Sequence, residues 1–140
     1  MKADDVDSPT FVGNYAITRL KNSGLVMPNE GLASFKLALG EAAIQRDGSE
    51  VAGQIDAGRL NVDFASKRFT TGLTVSGGGG KWDVAGTGVI TEKGLMYSDS
   101  RSNTLIRGFL GGSRAEQAGY IFKNTSIEGT TIIGATLWNR

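Results

Sequence analysis

The chain has 140 residues, with 15 Lys+Arg against 14 Asp+Glu for a net charge of +1, and it contains neither Cys nor His. That inventory excludes disulfides, thiolate zinc and iron–sulfur sites, thiol nucleophiles and imidazole acid–base chemistry. Near-neutral charge supplies no field to hold a phosphate backbone, so nucleic acid is not an expected partner.

The sequence is glycine-rich, with 21 Gly but only 2 Pro, which points to turns and bulges of β structure. Residues 1–9 are polar and acidic and lack the apolar stretch of a signal peptide, so they read as a disordered tail before a single domain over 10–140. The chain is then either cytosolic or a mature domain cut from a longer protein. Asp4, Asp5 and Asp7 lack the Gly and the bidentate Glu of a calcium loop and read as a solvated tail. No run approaches the length of a transmembrane helix.

From Thr10 onward, short alternating runs are separated by Gly, Asn, Asp or Ser at intervals of about ten residues, the spacing of a sandwich or barrel. Strands are expected near 10–19 and 32–40. Glu41-Ala42-Ala43-Ile44 has helix-forming composition but is long enough for only a turn. Leu60, Val62 and Phe64 alternate with Arg59, Asn61 and Asp63; Ser66-Lys67 breaks the run, and Phe69, Thr71, Leu73 and Val75 resume it, predicting a hairpin over 58–76. Gly77-Gly78-Gly79-Gly80 forms the next turn. Lys81 follows it, but the chain continues as the strand 81–90 instead of the helix of a phosphate loop. Gly86 and Gly88 mark a bulge or a close contact there, without the third Gly of a dinucleotide fingerprint. Further strands are expected near 94–98, 104–111, 118–124 and 130–138, with a second short helical turn at 113–117.

An all-β meander of this size must dispose of its edges, and closure does so completely. The expectation is all-β: an eight-stranded antiparallel up-and-down barrel with short turns of helix. A membrane barrel fits poorly, because Arg59, Asn61 and Asp63 would face lipid. Phe64, Phe69, Trp82, Phe109, Tyr120, Phe122 and Trp138 are the large side chains expected to fill the interior. On the strand 104–111, either Leu105 and Phe109 share the inner face with Arg107, or Ile106 and Leu110 point inward and Arg107 faces water.

From residue 58 to the end, the order of features is similar to the C-terminal β-barrel of transferrin-binding protein B-like surface lipoproteins. The segment Gly108-Phe109-Leu110-Gly111-Gly112-Ser113-Arg114-Ala115-Glu116-Gln117-Ala118-Gly119-Tyr120-Ile121-Phe122 resembles that family's strand ending Gly-x-Phe-x-Gly, a turn carrying Ala-Glu, and a Gly opening the next strand. The close, Ile133-Gly134-Ala135-Thr136-Leu137-Trp138, resembles a subgroup appended to FecR-like proteins. The resemblance implies a barrel in a bacterial extracytoplasmic setting, periplasmic or at the cell surface. It also implies binding instead of catalysis.

Asp63 and Asp99 could act as acid and base only if the fold brought them together. Asn124-Thr125-Ser126 matches a glycosylation sequon at an expected turn. The polar loop over 98–103 is the best candidate for partner contact, with Tyr97, Asp99, Arg101 and Asn103 as its binding residues. No catalytic residue, cofactor or metal site is expected. The sequence reads as a non-enzymatic module that presents loops to a protein partner. The alternative is a lipocalin-like carrier with an apolar ligand between the interior aromatics.

Overall fold

The computed structural model describes residues 10–12, 15–17, 27–127 and 129–140, so the acidic tail and its three aspartates lie outside the described residues. Two short strands come first, β1 (Thr10–Val12) and β2 (Tyr15–Ile17). Eight more follow: β3 (Leu32–Arg46), β4 (Ser49–Asp63), β5 (Arg68–Gly77), β6 (Gly80–Ile90), β7 (Leu95–Ser98), β8 (Thr104–Gly111), β9 (Gln117–Ile127) and β10 (Thr130–Asn139). Strands β3 to β10 pair antiparallel in chain order, and β10 closes on β3. The fold is thus the eight-stranded up-and-down barrel that the patterning predicts.

No helix occurs among the described residues, which corrects both helical turns. Ala42 and Ile44 are buried on the inner face of β3, and Ala42 to Arg46 pair with Gly53 to Ser49 across a hairpin. Asp47 and Gly48 close that hairpin with φ of 51° and 78°, the two left-handed residues of a type I′ turn. Four residues cannot nucleate a helix against a ladder that satisfies every backbone group, so the Asp-Gly signal overrides local composition. At 112–116 the chain makes only a tight turn, in which Ala115 N donates to Gly112 O at 3.5 Å and Ala115 takes a φ of 56°.

Inward positions recur every second residue, and their large side chains fill the barrel. Tyr120, Phe122, Phe69, Ile106, Leu110 and Trp138 are all buried to 1% exposure or less. The Tyr120 ring stacks on Trp138 at 5.8 Å between centroids and meets Phe122 edge-on at 6.2 Å. Such close packing needs gaps in the wall. A Cβ on Gly134 would lie 2.7 Å from the Phe122 ring, and one on Gly88 would lie 2.6 Å from Phe69, so glycine is what lets these rings lie against the sheet.

Of the three remaining expected core aromatics, two stand elsewhere. Phe109 is only half-buried and shares the outer face with its partners Leu95 and Gly119, because Ile106, Gly108 and Leu110 take the inner positions of β8. The same register turns Arg107 outward, where its guanidinium lies 5.2 Å from the Tyr97 ring centroid. Trp82 points inward but is half-buried near one mouth, with Arg46 5.9 Å from its ring centroid. Phe64, by contrast, is buried in the four-residue turn between β4 and β5.

Both early strands lie outside the barrel. They form a separate pair, with Thr10 opposite Ile17, placed against β8, β9 and β10. Ile121 and Ile133 face outward on β9 and β10 at that location and are nevertheless buried.

Candidate functional site

Strand β7 has only four residues, and the chain leaves the sheet at Asp99. The departing loop is held by that residue. Asp99 N donates to Thr87 O at 3.1 Å, while its carboxylate accepts from Thr87 Oγ1 and from Arg101 N, each at 3.0 Å. Its second oxygen receives Arg68 Nη2 at 2.5 Å. Burial acts to raise the Asp99 pKa, but the hydrogen bonds from Thr87 and Arg101 and the Arg68 guanidinium outweigh it and hold the carboxyl below its ordinary value. Ser102 completes the loop: Ser102 N donates to Asp99 O at 3.1 Å, and its hydroxyl donates to Thr104 O at 2.6 Å and accepts from Thr87 N at 3.3 Å.

Below this loop the outer face carries a row of short polar side chains. Ser34, Asn61, Thr70 and Thr87 are successive cross-strand partners on β3, β4, β5 and β6. Small side chains on four neighbouring strands leave a trough. With Leu32, Arg68 and Arg101 at its margins, it forms an open groove of about 610 Å³. Ser34 Oγ donates to Asn61 Oδ1 at 2.8 Å, and Leu32 is 81% exposed at the rim. Among the described residues Arg68 is paired with Asp99, whereas Arg101 has no carboxylate within ion-pair distance.

The structure places the four candidate binding residues differently from one another. Arg101 and Asn103 are exposed on the loop, and Arg101 lines the groove. Asp99 is turned into the loop's own hydrogen bonds and acts as its organiser. Tyr97 stands apart on β7, 38% exposed beside Arg107, whose Nη1 donates to Ser98 Oγ at 3.1 Å. The polar row and Arg68 were not among the sequence candidates. Their residue types are ordinary for an outer strand face, and only the register aligns them.

The Asp63 and Asp99 carboxylates are each used within a turn: Asp63 Oδ1 accepts from Ala65 N at 3.0 Å and Ser66 N at 3.2 Å. The pair is therefore not arranged as acid and base. Among the described residues no group of three carboxylates could hold a metal ion. Gly77 pairs with Gly80 across a tight turn, as the phosphate-loop mismatch implied. Asn124 lies within β9, not in a turn, and is 3% exposed; its Nδ2 donates to Thr104 Oγ1 at 2.9 Å, so the sequon asparagine is enclosed.

No family model and no curated protein sequence matches this chain. Solved structures do. A variant of transferrin binding protein B from Haemophilus parasuis superposes with a TM-score of 0.56 at 16% identity, over 81% of this chain and 27% of that one. Transferrin binding protein B from serogroup B Neisseria meningitidis gives 0.53 at 12% identity, over 89% and 29%. A structure described as a surface lipoprotein gives 0.52 at 13% identity, over 89% and 68%. The chain thus has the barrel fold of the transferrin binding protein B structures, as its motifs suggested, and spans under a third of their length.

Proposed function

We propose that this chain is a non-enzymatic binding module that offers the loop over 99–103 and the groove beneath it to a protein partner, in the periplasm or at the surface of a bacterial cell. One observation carries the reading. An exposed apolar residue, Leu32, and an exposed cation, Arg101, which has no carboxylate within ion-pair distance among the described residues, flank a polar trough of about 610 Å³, under a loop whose shape is set by the Asp99 carboxylate. Rigid strands supporting a pre-organised loop favour binding without a large ordering cost. The barrel is shared with proteins named for transferrin binding and with a surface lipoprotein, and this likeness supports the setting.

The carrier reading finds less support, because Tyr120, Phe122, Phe69 and Trp138 occupy the space an interior ligand would need. A photo-crosslinking residue in place of Ser100, exposed on the same loop, compared with one in place of Glu92 in the turn between β6 and β7, tests the proposal in cells that naturally express the chain. A protein adduct formed from position 100 and not from position 92 is expected. Equal labelling from both, or a retained small-molecule mass in native but not denaturing mass spectrometry, overturns it.

A further inference from the structure

The barrel is closed, but the pairing along β6 is short on one side. Strand β7 pairs with β6 only at Gly88, Val89 and Ile90, and β8 resumes at Thr104, paired with β9. Among the described residues, 81–85 of β6 are therefore paired with β5 on one side and with no strand on the other, although β8 approaches at Ala85 through Thr104.

The direction of their backbone groups follows from the ladder. In an antiparallel pair, residues that exchange both hydrogen bonds alternate with residues that exchange none. Ile90 N donates to Lys67 O at 2.8 Å, so the even-numbered residues of β6 bond to β5 and the odd-numbered ones face away. Thr87 agrees: its O accepts from Asp99 N and its N donates to Ser102 Oγ, both on the far side. Lys81, Asp83 and Ala85 continue that set. Ala85 O is satisfied by Thr104 Oγ1 at 2.6 Å. The N–H and C=O of Lys81 and Asp83 and the N–H of Ala85 point to the open side, and all three residues are exposed.

We propose that this edge, unpaired among the described residues, receives an extended segment of the protein partner as an added strand, resting on the reading of the chain as a protein-binding module. The edge adjoins the loop of the candidate site through Ser102 and Thr104, so one partner can engage both. The edge also states what the segment must carry. Residues opposite one another across a ladder share a face. Lys81 Nζ lies 4.0 Å from Asp56 Oδ2 and Asp83 Oδ1 accepts from Thr74 Oγ1 at 3.3 Å, yet both residues stay exposed, so the outward positions opposite them favour an acidic and a basic residue, and the inward position between them, beside half-buried Trp82, favours an apolar one. Main-chain hydrogen bonds supply attachment, and the charge pattern supplies register.

The test uses the full chain, labelled with ¹⁵N, and a blocked nine-residue peptide of alternating Thr and Val with Lys-Val-Asp at its centre. In the free protein, Lys81 and Asp83 amides are expected to exchange fast while Trp82 and Val84 are protected. Added peptide protects Lys81 and Asp83, and replacing its Lys and Asp by Thr weakens binding roughly two- to tenfold. Asp83→Pro removes a donor on the edge side only, where proline is tolerated, and abolishes the effect. The double variant Lys81→Asp with Asp83→Lys reverses the preference toward an Asp-Val-Lys peptide, which a merely folding-related loss cannot do.

Three outcomes overturn the inference. Protection of Lys81 and Asp83 in dilute free protein means that the edge is already covered. Protection that rises with protein concentration assigns the edge to a second copy. Peptide-induced shifts confined to Arg101 and Asn103 place the partner on the loop alone, leaving the proposed function standing without the added strand.

Discussion

At the scale of single residues, two ionisable groups report on the barrel because their environments push them in different ways. Burial raises the Tyr120 phenol well above its ordinary pKa, against the hydrogen bonds it makes to Thr71 and Thr136. Since Thr71 Oγ1 donates to Arg59 O, the Tyr120 hydroxyl donates to Thr71, at 2.7 Å. A phenol whose folded pKa lies above its unfolded value of 10.0 adds no penalty below that pH and destabilises the fold as the pH rises past it. Tyr120 is therefore expected to ionise only together with unfolding, seen as coincident change in phenolate absorbance and near-ultraviolet dichroism. Tyr120→Phe should abolish that component at a cost of about 1 kcal/mol at neutral pH, measured by urea denaturation. Asp99 runs the other way. Its folded pKa lies below the ordinary 3.8, so its contribution is present above that value and is lost as the pH falls through the folded pKa. Acidification below about pH 4, or Asp99→Asn at neutral pH, should lower the amide protection factors of Arg101 and Ser102, taken relative to intrinsic exchange at the same pH, while core amides stay protected.

At the scale of elements, turns and ends decide how the strands are held. The turn between β3 and β4 needs left-handed backbone at Gly48, with a φ of 78° and open space around it, so Gly48→Ala is expected to cost about 1 kcal/mol by strain alone. Gly134→Ala meets the Glu41 carbonyl oxygen of the paired strand as well as the Phe122 ring and should cost about 1–3 kcal/mol, because neither the ladder nor the core can give way. Comparing the two denaturation midpoints separates backbone strain from overpacking. Arg140 closes the opposite end of the barrel. Arg140 N donates to Glu116 O at 2.9 Å, its Nε to Ala115 O at 3.2 Å and its Nη2 to Arg114 O at 2.5 Å, while the guanidinium lies 5.8 Å and 5.4 Å from the ring centroids of Phe35 and Phe64. Arg140→Ala should lower stability by about 1–2 kcal/mol, and Arg140→Lys should recover only part of it, since a point charge cannot serve two carbonyls and two rings. Thermal unfolding of both variants checks the ordering.

At the scale of the whole molecule, the sequence by itself determined the class and the closure of the fold. Alternation at a two-residue period needs no tertiary context: Leu60, Val62, Phe69, Leu73 and Val75 must share a face to leave water, and several such runs without a helix leave a closed sheet as the solution that hides its edges. The turn at 77–80 and the inward Tyr120, Phe122 and Trp138 belong to the same local logic. The hairpin at Asp47 and Gly48 was not read from the sequence, because the alanines before it suggested a helical turn and the next strand was expected only from residue 58. Tertiary structure decided what periodicity leaves undetermined. A one-residue choice of register put Ile106 and Leu110 inside and Phe109 outside, because the inner position beside Tyr120 admits only a glycine at 108. The candidate site was legible as a loop but not as a surface. The row Ser34, Asn61, Thr70 and Thr87 draws on four strands, and the pairing of Arg68 with Asp99 joins residues 31 positions apart. Such juxtapositions, like the edge of β6 left unpaired among the described residues, depend on where neighbouring strands begin and end, and that is set by packing among distant segments.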